Sequence, residues 1–183
     1  GILFRDGYQK NQKLDSIILT PTTKGLSDSP ITETSIIQQH YLTQEEFDFI
    51  KLKSFELFRY GQMEADKRGL MLVDTKYEFG RLDGKIILID EIHTCDSSRY
   101  WKSTTYLQRF EQGIEPEKHD KDCIRDWIKK NCDPYTEDIP KIPDEVVLKV
   151  ENVYLNYYKL FDGNELDLVT MDETLFLENY LDN

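Results

Sequence analysis

Apolar and polar positions change their period along the chain, and the change separates helices from strands. Phe47, Ile50, Ser54, Leu57, Phe58, Gly61 and Ala65 recur at spacings of three and four, the period of one helix face. Thr43-Gln-Glu-Glu46 stands before them as a capping box, and Gly69 sits where a helix-ending glycine belongs. The pattern predicts a long amphipathic helix over 44–68. From Leu70 to Phe79 the period shortens to two, which predicts a strand; Lys85 to Glu91 reads as its partner across a Leu82-Asp83-Gly84 turn. Trp101, Thr105, Leu107 and Phe110 keep a rough helical spacing and predict a helix over 98–112. A helix over 119–131 carries Ile124, Trp127 and Ile128. Pro134, Pro140 and Pro143 mark a crossing loop, and Asp144 caps a predicted helix over 144–161 with Val147, Val150, Val153, Tyr154 and Tyr157 as its stripe.

Together these elements predict an α+β unit, an antiparallel hairpin or larger sheet flanked by several helices. Residues 1–35 read as irregular, either a linker or a loop region lining a site. Residues 36–163 form the expected core, and 164–183 an acidic tail with room for one short final helix. The chain begins with Gly, which points to processing or to a piece of a longer protein.

Composition narrows the function. Among 183 residues, 35 Asp and Glu outnumber 23 Lys and Arg, for a net charge of −12. A general nucleic-acid binder needs clustered cations, as does an anionic membrane surface, so neither partner is expected. Small phosphorylated ligands stay open, because a few local cations suffice for them. No apolar run approaches the roughly 20 residues of a membrane span, and no leader pattern opens the chain. Cys95, Cys123 and Cys132 show no Cys-x-x-Cys pairing, so buried, inert thiols in a reducing cytoplasm are expected.

Leu72 to Gly80 carries the candidate chemistry. Alternation along a strand puts Asp74, Lys76 and Glu78 on one face, with Met71, Val73, Thr75, Tyr77 and Phe79 on the other supplying the core contact. A merely solvated face would explain three charges in a row. The partner argues otherwise, since Ile86-Ile-Leu-Ile89 is wholly apolar and ends abruptly in Asp90-Glu91. Two registers are available. A two-residue Asp83-Gly84 loop puts Asp90 on the face opposite Lys76. A three-residue loop, with Gly84 at positive φ, pairs Arg81 with Lys85 and gathers Asp74, Lys76, Glu78 and Asp90 on one face. The second register is expected, because paired hard-oxygen carboxylates suit Mg²⁺, which takes one or two of them plus substrate phosphates. Lys76 would then set one positive charge beside the metal, although it could equally serve only to neutralise its acidic neighbours. Asp96-Ser-Ser-Arg99 follows, with hydroxyls at Ser97 and Ser98 for helix capping or anion binding and a forked donor in Arg99.

These residues resemble the SAICAR synthetase family. Leu72-Val-Asp-Thr-Lys-Tyr-Glu-Phe-Gly80 is similar to one family signature, and Asp90-Glu91 with Asp96-Ser-Ser-Arg-Tyr-Trp101 to the segment after it. Thr20-Pro-Thr-Thr-Lys24 with Asp28-Ser-Pro-Ile31 resembles an upstream loop. Asp120-Lys121 with Arg125-Asp-Trp127 resembles a downstream helix, and Ile142 to Val147 with Tyr154 to Gly163 a last one. The matches fall in the family's order over 14–163. The resemblance implies the C-terminal two thirds of an enzyme that uses ATP and Mg²⁺ to join L-aspartate to carboxyaminoimidazole ribotide. ATP phosphorylates the ribotide carboxylate, the aspartate amine displaces phosphate, and an amide forms. It implies Glu78 and Asp90 as metal carboxylates and Lys76 and Asp28 as catalytic positions. Lys24, Asp74, Ser98, Arg99, Lys121 and Arg125 are implied for substrate. Asp74 would orient either Lys76 or a metal-bound water. The family's N-terminal lobe, which covers ATP, has no counterpart here, so the chain alone is expected to be inactive. The competing readings are a non-catalytic, Mg²⁺-dependent ribotide-binding module and a generic acidic interaction domain. A homo-oligomer stays open.

Overall fold

In the computed structural model, residues 6–25, 28–119 and 121–163 are described, with the side chain of Cys123 left out. The expected tail helix within 164–183 lies outside them, as does Asp120. The elements run β1 (Thr22–Thr23), β2 (Ser29–Pro30), α1 (Glu33–Gln38), α2 (Gln44–Asp66), β3 (Leu70–Thr75), β4 (Glu78–Leu82), β5 (Lys85–Ile89), β6 (Ser98–Lys102), α3 (Ser103–Glu111), α4 (Asp122–Asn131) and α5 (Asp144–Asp162). The class is α+β. Among the described residues the strands form three two-stranded antiparallel ladders, β1 with β2, β3 with β6, and β4 with β5.

Helix α2 starts as its sequence dictates. Thr43 Oγ1 accepts from the Glu46 amide at 3.2 Å while the Glu46 carboxylate accepts from the Thr43 amide at 2.9 Å. Glu46 also takes a fork from Arg81 of β4, with contacts of 2.8–3.0 Å, so one carboxylate ties the hairpin to the helix start. The face read from the sequence turns inward, with Phe47, Ser54, Gly61 and Ala65 buried. Gly69, at φ 72°, ends the helical run and turns the chain into β3.

Strand β3 departs from simple alternation. Leu70, Met71 and Leu72 pair with Lys102, Trp101 and Tyr100, then the register slips, and Asp74 and Thr75 pair with Arg99 and Ser98. The bulge at Val73 places two residues of β3 against one step of β6. Leu70 and Leu72 therefore share the inner face with Tyr100 and, past the bulge, Thr75 shares it with Ser98. Asp74 emerges on the outer face beside Arg99. Ala65, Leu70, Leu72 and Tyr100, each at most 2% exposed, form the core, with Phe58, Tyr157 and Phe161 packed on it. Leu70 and Leu72, rather than Met71 and Val73, thus supply the core contact.

Three expectations change. The segment 70–79 is two strands with different partners, because Lys76-Tyr77 leaves the first ladder before Glu78 opens the second. Residues 98–102 form β6 instead of a helix start; the residues from Ser98 to Tyr100 alternate buried, exposed, buried, which is strand behaviour. The hairpin loop is Asp83-Gly84 alone, pairing Leu82 with Lys85 and Glu78 with Ile89. Both loop residues take positive φ, 50° and 74°, the mirror-image turn whose twist matches antiparallel strands. Extended by one residue this register sets Asp90 against Tyr77, not Lys76, and the chain has already left the strand there, since Asp90 has φ 68°.

Helix α5 packs inward chiefly through Tyr157 and Phe161, while Val147 is 49% and Tyr154 38% exposed, so the predicted stripe is half open. Arg68 anchors the helix by donating to the Leu160 carbonyl and lying over the Phe161 ring, 4.6 Å from its centroid. Strand β5 is more open than its apolar sequence suggests, with Ile87, Leu88 and Ile89 each 36–38% exposed. Among the described residues, no helix is long and apolar enough to cross a membrane.

Two stability effects follow. A Cβ on Gly61 would lie 2.7 Å from both the His93 ring and Leu72 Cδ2. Gly61→Ala gains roughly 1 kcal/mol of helix propensity and loses more to overpacking, for a net destabilisation of about 1–2 kcal/mol in urea melts. Burial holds the imidazoles of His93 and His119 below the ordinary value of 6.5. The unfolded chain then binds protons that the folded chain does not, so stability falls as pH drops below 6.5. Thermal melts at pH 7.5 and 5.5 should show this loss, and His119→Gln should reduce it.

Candidate functional site

The bulge that sends Asp74 outward also sets the direction of the chain beyond it. Lys76 and Tyr77 bridge two ladders, and here the loop before β2 returns. Lys76 Nζ donates to Asp28 Oδ2 at 2.9 Å and lies 3.0 Å from Glu78 Oε1. Lys24 donates to the other oxygen of Glu78. Hydrogen bonds donated first to Asp28 and then to Glu78 push the Lys76 ammonium up to about 12, so it stays charged at neutral pH. Hydrogen bonds from Lys24 and then Lys76 hold the Glu78 carboxyl below its ordinary range, and its side chain is only 11% exposed. Arg99 Nε donates to Asp74 Oδ1 at 2.9 Å, with a second contact from Nη2 to Oδ2, the bidentate fork expected of Arg.

A groove of about 1440 Å³ runs beside this cluster. Lys24, Asp28, Asp74, Lys76 and Glu78 line it, together with Tyr77. Residues 12–24 form one wall. Tyr106 of α3 pins that wall, accepting from the Lys13 amide at 2.9 Å and donating to the Asn11 carbonyl at 2.8 Å. Arg59 of α2 also lines the groove and was not singled out from sequence; it follows Phe58 in a stretch whose apolar spacing marks only the buried face.

The remaining candidate residues sit elsewhere. Ser98 is 4% exposed and its hydroxyl donates to Thr75 Oγ1 at 2.8 Å, a contact within the ladder. Neither Ser97 nor Ser98 caps α3, whose first turn has no side-chain cap. Lys121 donates to Asp96 Oδ1 at 2.6 Å, and Arg125 lies 3.7 Å from Asp122. Asp90 accepts from the Glu91 amide at 2.9 Å. It is not the cross-strand partner of Glu78, so shared strand geometry does not support a metal between the two. Among the described residues, no three His, Cys, Asp or Glu side chains converge as a metal cage. A Mg²⁺ held by one or two carboxylates and completed by phosphates would need no such cage. Cys95 and Cys132 are free thiols, and burial pushes Cys95 up to about 11, away from thiolate reactivity.

Known proteins match this chain. A relative from Arabidopsis thaliana, the chloroplastic phosphoribosylaminoimidazole-succinocarboxamide synthase, is 48% identical over 173 residues, covering 93% of this chain and 42% of its own length. The synthase of the same name from Legionella pneumophila (strain Paris) is 46% identical over 166 residues, covering 89% of this chain and 53% of its own. The solved structure of SAICAR-synthase from Saccharomyces cerevisiae complexed with SAICAR superposes with a TM-score of 0.72 at 26% identity, over 89% of this chain and 52% of that one. The chain thus spans about half the length of the relatives it matches, less than the two thirds expected from its motifs. The model of the SAICAR synthetase family matches residues 3–142, and the chain belongs to that family.

Proposed function

We propose that this chain is the substrate- and metal-binding large lobe of an ATP-dependent ligase. The enzyme joins L-aspartate to carboxyaminoimidazole ribotide, giving the succinocarboxamide ribotide, ADP and phosphate. The observation that carries the reading is the Lys24–Glu78–Lys76–Asp28 cluster, set in a groove within a family whose yeast member binds SAICAR. Lys76 and Lys24 supply fixed positive charge to an anionic substrate, and Asp28 orients Lys76. Arg99, aligned by Asp74, adds a planar donor pair. Glu78 and Asp90 would hold Mg²⁺, with Lys24, three-quarters exposed, as the contact on Glu78 that a cation displaces. When bound, Mg²⁺ would neutralise charge around the transferring phosphoryl group. The roles of Asp90, Ser98, Lys121 and Arg125 rest on family resemblance. The exposed apolar face of β5 supports a further lobe in the complete enzyme, since uncovered apolar patches are rare on soluble monomers. The cytoplasm is the proposed compartment, while the Arabidopsis relative is named for the chloroplast. A non-catalytic ribotide-binding module is the weaker reading, because the relatives are named as synthases.

Calorimetric titration of the complete protein with the ribotide tests the cluster. Lys76 is 54% exposed, so its ion pairs contribute under about 1 kcal/mol to the fold. Lys76→Met should leave melts nearly unchanged and weaken ribotide binding by roughly 1.5–3 kcal/mol, about ten- to a hundredfold. Unchanged affinity would reduce Lys76 to a neutraliser of its acidic neighbours. Asp90→Asn should lower kcat far more than stability and alter Mg²⁺ dependence; wild-type turnover at every Mg²⁺ concentration would remove Asp90 from the metal site. An intact mass of the native protein close to 21.7 kDa would count against the complete-enzyme reading.

A further inference from the structure

His93 belongs to none of the charged clusters, yet three elements and the junction between β3 and β4 converge on it. It lies in the loop between β5 and β6, and its φ of 57° places it in the left-handed region. Its carbonyl accepts from Tyr100 Oη of β6 at 2.7 Å and from Tyr157 Oη of α5. Its ring lies against α2 where Gly61 leaves out a side chain, close enough that a Cβ there would meet both Cε1 and Nε2 at 2.7 Å. The same Nε2 shares a hydrogen bond of 2.5 Å with Tyr77 Oη, the two rings meeting edge to face at 5.6 Å.

Tyr77 is the residue between Lys76 and Glu78 and lines the groove. Three residues before His93 stands Asp90, and three after it Asp96, which Lys121 holds. The loop has few other ties to the Lys76–Glu78 junction. Thr94 bonds within the loop, to Glu91 and Ser97. The Lys76 amide donates to the Ser97 carbonyl at 3.2 Å, near the point where β6 begins. The imidazole–phenol contact joins the middle of the loop to the strand junction.

We propose that His93 is a positioning residue for the site: its imidazole, seated over Gly61 and hydrogen-bonded to Tyr77, sets the Asp90–Asp96 loop against the Lys76–Glu78 cluster. The role rests on the ligase reading for its kinetic consequence and on geometry alone for its structural one. Loss of the bond lets the loop shift relative to the cluster, and catalysis is sensitive to displacements of about 1 Å.

The test uses the complete protein and three single variants. Tyr77→Phe removes one hydroxyl, His93→Leu removes the ring nitrogen, and His93→Gln keeps a polar terminal group able to reach Tyr77. The expected result is a kcat about tenfold lower in Tyr77→Phe and His93→Leu, with a higher Mg²⁺ concentration for half-maximal rate and KM for aspartate within about twofold. His93→Gln should recover most of the rate. The double variant Tyr77→Phe/His93→Leu should be no worse than either single one, because the two groups act as a unit. In ¹H–¹⁵N spectra, Tyr77→Phe should move the amides of Glu91 to Asp96 and leave those of α4 in place. Should His93→Leu fail to fold, Tyr77→Phe carries the test alone. Unchanged kcat and unmoved loop amides in Tyr77→Phe would overturn the positioning role while leaving the ligase reading intact. A wild-type protein that makes no product would sink the ligase reading, and the loop amides then decide for or against His93. Lower melting temperatures with unaltered kcat would make the contact a stabilising one only and likewise overturn the proposal.

Discussion

The β-bulge at Val73 is the constraint on which the rest of the site depends. Side chains on a strand alternate without exception unless a residue is inserted, so an unbroken β3 would carry Asp74 onto the face of Leu70 and Leu72. That face is the core, where Leu72 is 1% and Tyr100 0% exposed. A carboxylate there, unpaired, would cost several kcal/mol. The slipped register resolves the conflict within one residue. Leu72 points in, Asp74 points out to Arg99, and Thr75 returns inward to Ser98. The chain leaves this ladder at Lys76 already oriented for the groove, and Glu78 begins the next one.

The acidic balance of the chain gives this cluster a particular character. With 35 acids against 23 basic side chains, cations in the groove are few, and the two that matter, Lys24 and Lys76, are each engaged by a carboxylate. The result is an alternating lattice of charge around Glu78. An incoming anion must displace an internal acid instead of meeting a bare ammonium, which favours ligands bearing several negative groups in fixed geometry over single free ions. The same pairing keeps Lys76 protonated at neutral pH, as the electrostatic role proposed for it requires.

Much of this was legible in the chain. The capping box at Thr43 and the inward face of α2 could be read because each depends on local chemistry or on one period. The partners of the strands could not. Leu70 to Phe79 reads as one strand since nothing in its alternation announces that Thr75 and Glu78 belong to different ladders; only long-range pairing decides it. Ser98 to Lys102 was mistaken for a helix start because Trp101 suits either period over so short a span. Register failed for a different reason. A three-residue loop brings Asp90 beside Lys76 on parity and carboxylate pairing, whereas Asp83-Gly84 favours a two-residue mirror-image turn, and the left-handed backbone at Asp90 removes it from parity altogether. Tyr77 reads as core because an aromatic on an alternating strand looks like core, and a lone histidine in a loop, His93, carries no pattern.

One carboxylate, that of Glu46, closes the capping box of α2 and receives the fork from Arg81, 35 residues further along the chain. Helix ends ordinarily fray on their own, as the least protected part of the element. Here the first turn of α2 and the β4–β5 hairpin share an anchor, so opening either breaks a contact of the other. Amide exchange at Thr43 and Glu46 will therefore respond to the hairpin as well as to the helix.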